Sequence, residues 1–415
     1  MPTMKKLSFL PFILILAFAA TTVAGDPVSY AAKARQLIER GEYEQALDEL
    51  KRASSLFPYE QSLKTNLALT YTEIAKRDMS AGRYAKAARY LAEARELLPE
   101  NMELRLLRGV ALYLDKDYQT AAGEFQEAGD GVEPLVYLGK ISYDTGNLQG
   151  ALSYWRRASE MEPGNSMLAA LIAKAERELP VESRMDKGFS SMFDLSFDAE
   201  LPPGLSAEVL DALESAYNSV GADLGLFPTA RIPVLLYTKR DYSSVTAGPD
   251  WSGGLYDGKI RLPIGGITRM TPQLRAVIFH EFTHVLIAEI THGNIPTWLN
   301  EGLAEIEGRK EFVHPGRNPN LVDASHQLPL VTLSGPFTSM DGSQAGLAYQ
   351  QSYSMAQFMV NRYGWYAVQN LLKNLGERAS MEKAVARALS DWSLDLPGML
   401  REWQESLPAS GAKAE

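Results

Sequence analysis

The segment His280-Glu281-Phe282-Thr283-His284 combines side chains that can hold a metal ion with one that can work beside it. On a helix, residues four apart lie one turn apart on the same face, so the two imidazoles can share one ion. Glu281, next to the first histidine, then points beside the ion rather than at it. A base in that place can take a proton from water. The chain has no cysteine, which excludes thiolate ligation and disulfides and leaves histidine and carboxylates as the strong ligands. A tetrahedral site with one open position needs a third protein ligand. After Pro296 the run Thr297-Trp298-Leu299-Asn300-Glu301-Gly302-Leu303-Ala304-Glu305 reads as a second helix, ended by Gly308. Glu301 is its natural third ligand. Glu305, one turn on along the same face, is placed to accept the outer N–H of a ligating histidine, which would fix that ring's tautomer. With only 5 histidines in the chain, chance should produce this pattern in well under about one sequence in a hundred. A pair of satisfied core histidines is the competing reading.

These residues need elements to position them. Thr271 is a candidate N-cap with Pro272 in the first turn, and Val277, Ile278, Phe279, Val285, Leu286 and Ile287 make the first helix apolar on most sides, as a buried helix requires. The competing zinc pattern that extends the motif with a glycine and a third histidine would need Gly at 287 and His at 290, but both are Ile. His292 falls outside the helical register and reads as a loop residue, and His314 and His326 read as surface residues. Upstream, Pro180 closes a helical stretch, and Ser190 to Asp198, with Phe189 before it, reads as a strand broken by Pro202, Pro203 and Gly204. Ser206 caps a helix to about Val220, and Ile232 to Tyr237 reads as another strand. Gly253 to Ile264 alternates glycine turns with Leu255, Tyr256, Ile260 and Leu262, the pattern of a hairpin or edge strand. From Thr271 on the chain is mainly helical. A small sheet followed by helices makes this half α+β.

The first half repeats itself. Gly41-Glu42-Tyr43 leads to Ala46, Leu50, Ala53 and Pro58; Gly82-Arg83-Tyr84 leads to Ala87, Leu91, Ala94 and Pro99. Tyr118 leads to Ala121, Phe125 and Ala128; Gly146 and Leu148 lead to Ala151, Trp155, Ala158 and Pro163. The steps Tyr84 to Tyr118, Ala87 to Ala121 and Ala94 to Ala128 are each 34 residues. The pattern resembles the tetratricopeptide-repeat (TPR) family, and so implies an all-α solenoid of about four helical hairpins over 27–180. Tyr43 to Tyr84 is 41 residues and Ala121 to Ala151 is 30, so one lengthened helix and one shortened connection are expected. The third repeat lacks the turn glycine and the closing proline. A solenoid offers a concave surface to a peptide or protein partner, or serves as a scaffold packed on the second domain.

His-Glu-x-x-His followed by Trp-Leu-Asn-Glu-Gly-Leu-Ala resembles the gluzincin (peptidase MA) clan, and most of all the bacterial peptidase MA-like domains found beside TPRs. The likeness runs from about Phe189 to Leu407 and is strongest between Leu274 and Gly308. It implies a zincin-like domain over 185–408 with one zinc per chain, held by His280, His284 and Glu301, and Glu281 as general base. It also implies a hydroxyl for the oxyanion of the tetrahedral intermediate, with Tyr349 the first candidate and Tyr353 the second. They lie four apart where Ala348-Tyr349-Gln350-Gln351-Ser352-Tyr353 opens a helix that runs to Tyr363, before Gly364. Ordinary packing is the alternative for both. Sixteen residues separate His284 from Glu301, slightly fewer than in the aminopeptidase branch. The motif that grips a free amino terminus there is replaced by Gly253-Gly254-Leu255-Tyr256-Asp257-Gly258, which leaves endopeptidase as the default. Substrate backbone would pair with the edge strand around Leu255 and Tyr256.

At 415 residues, with 46% hydrophobic and 22% charged residues, the chain has room for two or three cored domains. A net charge of −10 and the lack of a Lys/Arg stripe argue against a nucleic-acid partner. Lys5 and Lys6, the apolar run Leu7 to Ala20, and Thr22, Ala24 and Gly25 form the three parts of a secretory signal peptide over 1–25. Cleavage after Ala24 or Gly25 would leave no membrane span, and an uncleaved anchor is the alternative. The expected location is exported, in a bacterial periplasm or secreted, and residues 409–415 are expected to form a disordered tail. The function these observations imply is a zinc-dependent endopeptidase acting on exported or envelope proteins, with TPRs that recruit substrate or a partner. The rival is a TPR assembly scaffold with a non-catalytic or highly restricted zinc domain. Glu281 weighs against it, because a structural site has no need of a base.

Overall fold

The structure, a computed structural model, describes residues 25–198, 200–202, 204–246, 255–312, 322 and 327–407. Residues 1–24 of the expected signal peptide, the expected tail 409–415, Pro203, Gly253, Gly254, His314 and His326 lie outside the described residues.

Among the described residues, nine helices occupy the first half: α1 (Pro27–Glu39), α2 (Tyr43–Leu56), α3 (Gln61–Ser80), α4 (Tyr84–Leu97), α5 (Met102–Leu114), α6 (Tyr118–Glu127), α7 (Val132–Asp144), α8 (Leu148–Met161) and α9 (Ser166–Glu182). The repeating alanines are fully buried, Ala46, Ala53, Ala87, Ala94, Ala121 and Ala158 all at 0% exposure, because only a small side chain lets helices come this close. The lengthened helix is α3, with 20 residues against 13 in α1, α5 and α7. The short step has a different origin from the one expected. The connection after α6, residues 128–131, is as long as the one after α2, residues 57–60, whereas α6 itself has 10 residues where α2, α4 and α8 have 14. Pro180 does not end α9; it sits inside the last turn. The turns of the other repeats place Gly41, Gly82 and Gly146 at φ 77, 72 and 82, and the third repeat puts Lys116 there at φ 63. A side chain in that left-handed conformation costs on the order of 1 kcal/mol.

By compactness the chain divides into two units, one up to Ile74 with Ala92–Glu100, the other Ala75–Leu91 with everything from Asn101. In the first unit α1 and α2 pair around Ala34, Leu37, Leu47 and Leu50. The second unit includes α5 to α9 together with all that follows, so the last two repeats share a compact body with the sheet, across the boundary expected at 180–185.

The sheet comprises β1 (Asp186–Phe189), β2 (Phe193–Phe197), β3 (Ile232–Tyr237), β4 (Leu255–Tyr256) and β5 (Ile260–Pro263), in the order β1-β2-β3-β5-β4. The strand read over Ser190 to Asp198 is β2, and β1, which precedes that stretch, pairs with it antiparallel. Strands β2, β3 and β5 are parallel, and β4 returns antiparallel on β5 through a turn at Gly258, φ 104. Helix α10 (Leu205–Leu224) crosses from β2 to β3, with Gly204 rather than Ser206 at its N-cap. Helix α11 (Lys239–Thr246) follows β3. The helices are therefore partly interleaved with the strands, not simply appended, because parallel neighbours need a crossover. Side-chain alternation gives the sheet two buried faces. Leu195, Val234, Leu236, Ile260 and Leu262 face the main core, while Leu235 and Tyr237 pack on Val181, Met185, Tyr242 and Val245.

The remaining helices are α12 (Pro272–Thr291), α13 (Thr297–Glu311), α14 (Leu330–Leu333), α15 (Gly342–Gly376), α16 (Met381–Ala388) and α17 (Leu396–Ser406). Thr271 caps α12, its hydroxyl accepting from Leu274 N at 3.1 Å. Helix α13 packs against both α12 and α15. A Cβ at Gly302 would stand 2.3 Å from Ser352 O, and one at Gly308 3.0 Å from Ala276 O. Gly308 thus lies within α13 as a close-approach point and does not end it. The helix carrying Tyr349 and Tyr353 starts earlier than expected, capped by Asp341, and breaks at Gly364, φ 80 and ψ 166. Among the described residues no helix is long and apolar enough to cross a membrane.

Candidate metal centre

The centre is built on α12 and α13. Ile278, Phe282, Val285 and Leu286 are buried in the core, which turns the face carrying His280 and His284 toward α13. Their Nε2 atoms lie 3.2 Å apart, and Glu301 Oε2 is 3.5 Å from His280 Nε2 and 3.6 Å from His284 Nε2. Ligands about 2.0–2.1 Å from a tetrahedral ion are separated by about 3.3 Å, so the triangle fits a zinc ion without rearrangement. Among the described residues this is the one group of three or more His, Asp or Glu residues close enough to hold a metal.

The imidazoles are oriented from behind. His284 Nδ1 lies 3.0 Å from Asn300 Oδ1. With that oxygen accepting, Nδ1 carries the proton and Nε2 is left to ligate. Sequence reasoning passed over Asn300; its carboxamide type next to Glu301 was the available signal. Glu305, expected to serve a histidine, lies 3.9 Å from His280 Nδ1, and its other oxygen accepts from Arg309 Nε at 2.9 Å.

Burial opposes charge on His284, but the Glu301 carboxylate outweighs it and lifts the imidazole to about 9. Glu301 is desolvated as well, yet His284 and hydrogen bonds from both rings hold it far below the usual carboxylate range. The His284 imidazolium and the Glu301 carboxylate thus form an ion pair in the metal-free chain, in the place a divalent cation would take. Glu281 is 6% exposed. Burial pushes its carboxyl up, the two imidazoles oppose that, and Glu301 adds to it. Among the described residues it makes no hydrogen bond, so its oxygens are uncommitted.

Tyr349 and Tyr353 lie on α15, which packs against both α12 and α13. Tyr353 is stacked under the Arg309 guanidinium, 3.8 Å from the ring centroid, while Tyr349 meets Phe337 edge-on at 5.2 Å. Strand β4 is the last in the sheet order, so among the described residues nothing pairs with its outer edge. Strand β5 is paired on both sides, so among the described residues of the expected edge strand only Leu255 and Tyr256 offer a free edge. The Leu255 side chain joins the Val181 and Tyr237 cluster. Tyr256 is partly buried, and desolvation, with Glu289 and Asp144 adding, raises its hydroxyl pKa. What β4 can offer is its backbone. His292 lies outside the helix, in the turn that caps α12, with φ 50, and packs on Tyr84 at 4.8 Å. Close by, Lys116 from the third repeat's turn pairs with Glu289 of α12 at 2.9 Å.

A model of the Peptidase MA superfamily matches residues 216–409, and a tetratricopeptide-repeat model matches residues 72–131. The first match begins inside α10, so β1 and β2 lie outside it. No curated protein matches the chain. Among solved structures, a thermophilic TPR protein from Thermus thermophilus is similar at 23% identity, over 36% of this chain and 81% of that one, with a TM-score of 0.25.

Proposed function

We propose that this chain, which carries a tetratricopeptide repeat and a Peptidase MA superfamily domain, is a zinc-dependent endopeptidase whose repeats recruit substrate or a partner. The observation that carries this reading is the His280, His284 and Glu301 triangle with an uncommitted Glu281 beside it. A structural site would use its fourth position for another ligand and would need no buried base.

When bound, zinc lowers the pKa of a water to about 7 and polarises a peptide carbonyl. The chain's own residues do the rest. Glu281 takes the proton from the attacking water on its carboxylate and delivers it to the departing amine nitrogen. Asn300 holds the His284 ring from behind, and the Glu305 carboxylate stands 3.9 Å behind His280. The hydroxyl of Tyr349 or Tyr353 donates to the oxyanion, and the β4 backbone aligns the peptide. Tyr353 has the better-fixed ring, since Arg309, itself held by Glu305, stacks on it. The leader over 1–25 supports export to a bacterial periplasm or beyond, and hence exported or envelope proteins as substrates.

The test is cleavage of an unfolded-protein panel and of peptides blocked at both ends, before and after chelation and zinc restoration. Zinc-restorable cleavage of doubly blocked peptides is expected. Cleavage confined to peptides with a free terminus would replace endopeptidase by exopeptidase, and none from the zinc-loaded chain would leave the scaffold reading.

A further inference from the structure

The sheet face turned away from the core carries charge where a buried face should not. Along β5, Ile260 and Leu262 point into the core, while Arg261 and, just before the strand, Lys259 point the other way and are still 1% and 2% exposed. Arg261 uses its whole guanidinium. Nε donates to Asp257 Oδ1 at 3.0 Å, Nη1 to Glu182 Oε1 at 2.9 Å and the Tyr237 hydroxyl at 2.5 Å, and Nη2 to Glu178 Oε1 and the Tyr143 hydroxyl, each at 3.0 Å. Lys259 reaches Glu182 at 3.3 Å, and Lys174 reaches Asp257 at 2.7 Å. Three cations face three carboxylates. The carboxylates come from α9 and from the β4–β5 turn, and the Tyr143 hydroxyl comes from α7.

A buried ionic network is weak evidence for stability, because apolar side chains of the same volume would often do as well. Its best-attested use is to fix one register among several. The element fixed here is the β4–β5 hairpin. Strand β4 is two residues long, too short to hold its own place by ladder bonds. Asp257, the residue after it, is gripped by Arg261 from its own sheet and by Lys174 from α9. Strand β4 packs against α12, the helix that carries His280 and His284.

We propose that Arg261 is a positioning residue: through Asp257, and anchored on α7 and α9, it sets the free edge of β4 beside the metal-bearing helix. Helix α7 of the last repeat and α9 are then the anchors of that edge. This rests on the peptidase reading for its kinetic consequence but not for its structural one. The test uses the full chain, zinc-loaded, as wild type, Arg261→Met and the milder Lys174→Met and Asp257→Asn. Amide hydrogen exchange over residues 255–262 is read together with zinc affinity, kcat and KM on a peptide that the wild type cleaves. Exchange is expected to quicken at least about tenfold in Asp257→Asn and less in Lys174→Met. Zinc affinity should stay within about twofold, and KM should rise about fivefold or more with kcat little changed. Unchanged exchange in the folded variants overturns the proposal whatever the activity, and so does quickened exchange with an unchanged KM. If the wild type cleaves nothing, the peptidase reading fails separately, while the exchange measurement still decides whether Arg261 holds β4.

Discussion

At the scale of single residues, metal binding depends on groups that orient the ligands as much as on the ligands. Asn300→Ala removes the acceptor of the His284 Nδ1 proton and should lower zinc affinity about 10–100-fold with the fold intact. Competition with a chelating dye measures this, and an unchanged affinity would mean that another group fixes the ring. Glu307 on α13 gives a pH-dependent prediction. It is fully buried, and burial, with Asp223 adding and Lys310 opposing, lifts its carboxyl from 4.5 to about 7. The folded chain therefore binds a proton there more tightly than the unfolded chain, and stability falls as pH rises from about 4.5 to about 7. Glu307→Gln should remove about 1–3 kcal/mol of that loss, seen by comparing denaturant midpoints at pH 5 and pH 8; an unchanged slope would contradict it. The ligand triangle was legible in the sequence because a spacing of four fixes both histidines on one helical face. Asn300 was not, because which ring its carboxamide meets depends on how α13 crosses α12. Glu305 was legible in place, but Arg309 shares it.

At the scale of elements, the close approach of α13 to its neighbours holds Glu301 where the histidines can use it. Gly302→Ala would drive a methyl group against Ser352 O, forcing α13 away from α15. A loss of about 1–3 kcal/mol is expected, together with weaker zinc binding, because Glu301 is the adjacent residue. Loss of stability with zinc affinity unchanged would show that the ligand is insulated from the α13–α15 contact. In the repeats, small-residue spacing revealed the hairpins and the long α3, since buried alanines recur with the helix period. It could not say whether the missing four residues came from a helix or a connection, and it left the third turn blank. There Lys116 accepts the left-handed conformation and reaches Glu289. Lys116→Gly should relieve on the order of 1 kcal/mol of backbone strain while losing an exposed ion pair worth about 0–1 kcal/mol. A near-neutral or slightly raised melting temperature is expected, and a drop of several degrees would mean that the ion pair dominates.

At the scale of the whole molecule, the larger compact unit runs from inside the repeats through the sheet to the C-terminal helices. The sequence suggested two separable domains because composition and periodicity change near Pro180. Those signals report local structure, and cannot show that charged residues of one segment are buried against another. Arg261 read as part of a hairpin; its burial depends on Glu178, Glu182 and Tyr143, up to 118 residues away in sequence. The most direct test of the central claim is bound zinc and cleavage of unfolded protein, measured side by side for the full chain and Glu281→Gln. About one zinc per chain is expected in both, with a loss of cleavage in the variant of at least about 100-fold. A zinc-free wild type under conditions that preserve bound metal, or equal cleavage by both proteins, would contradict it.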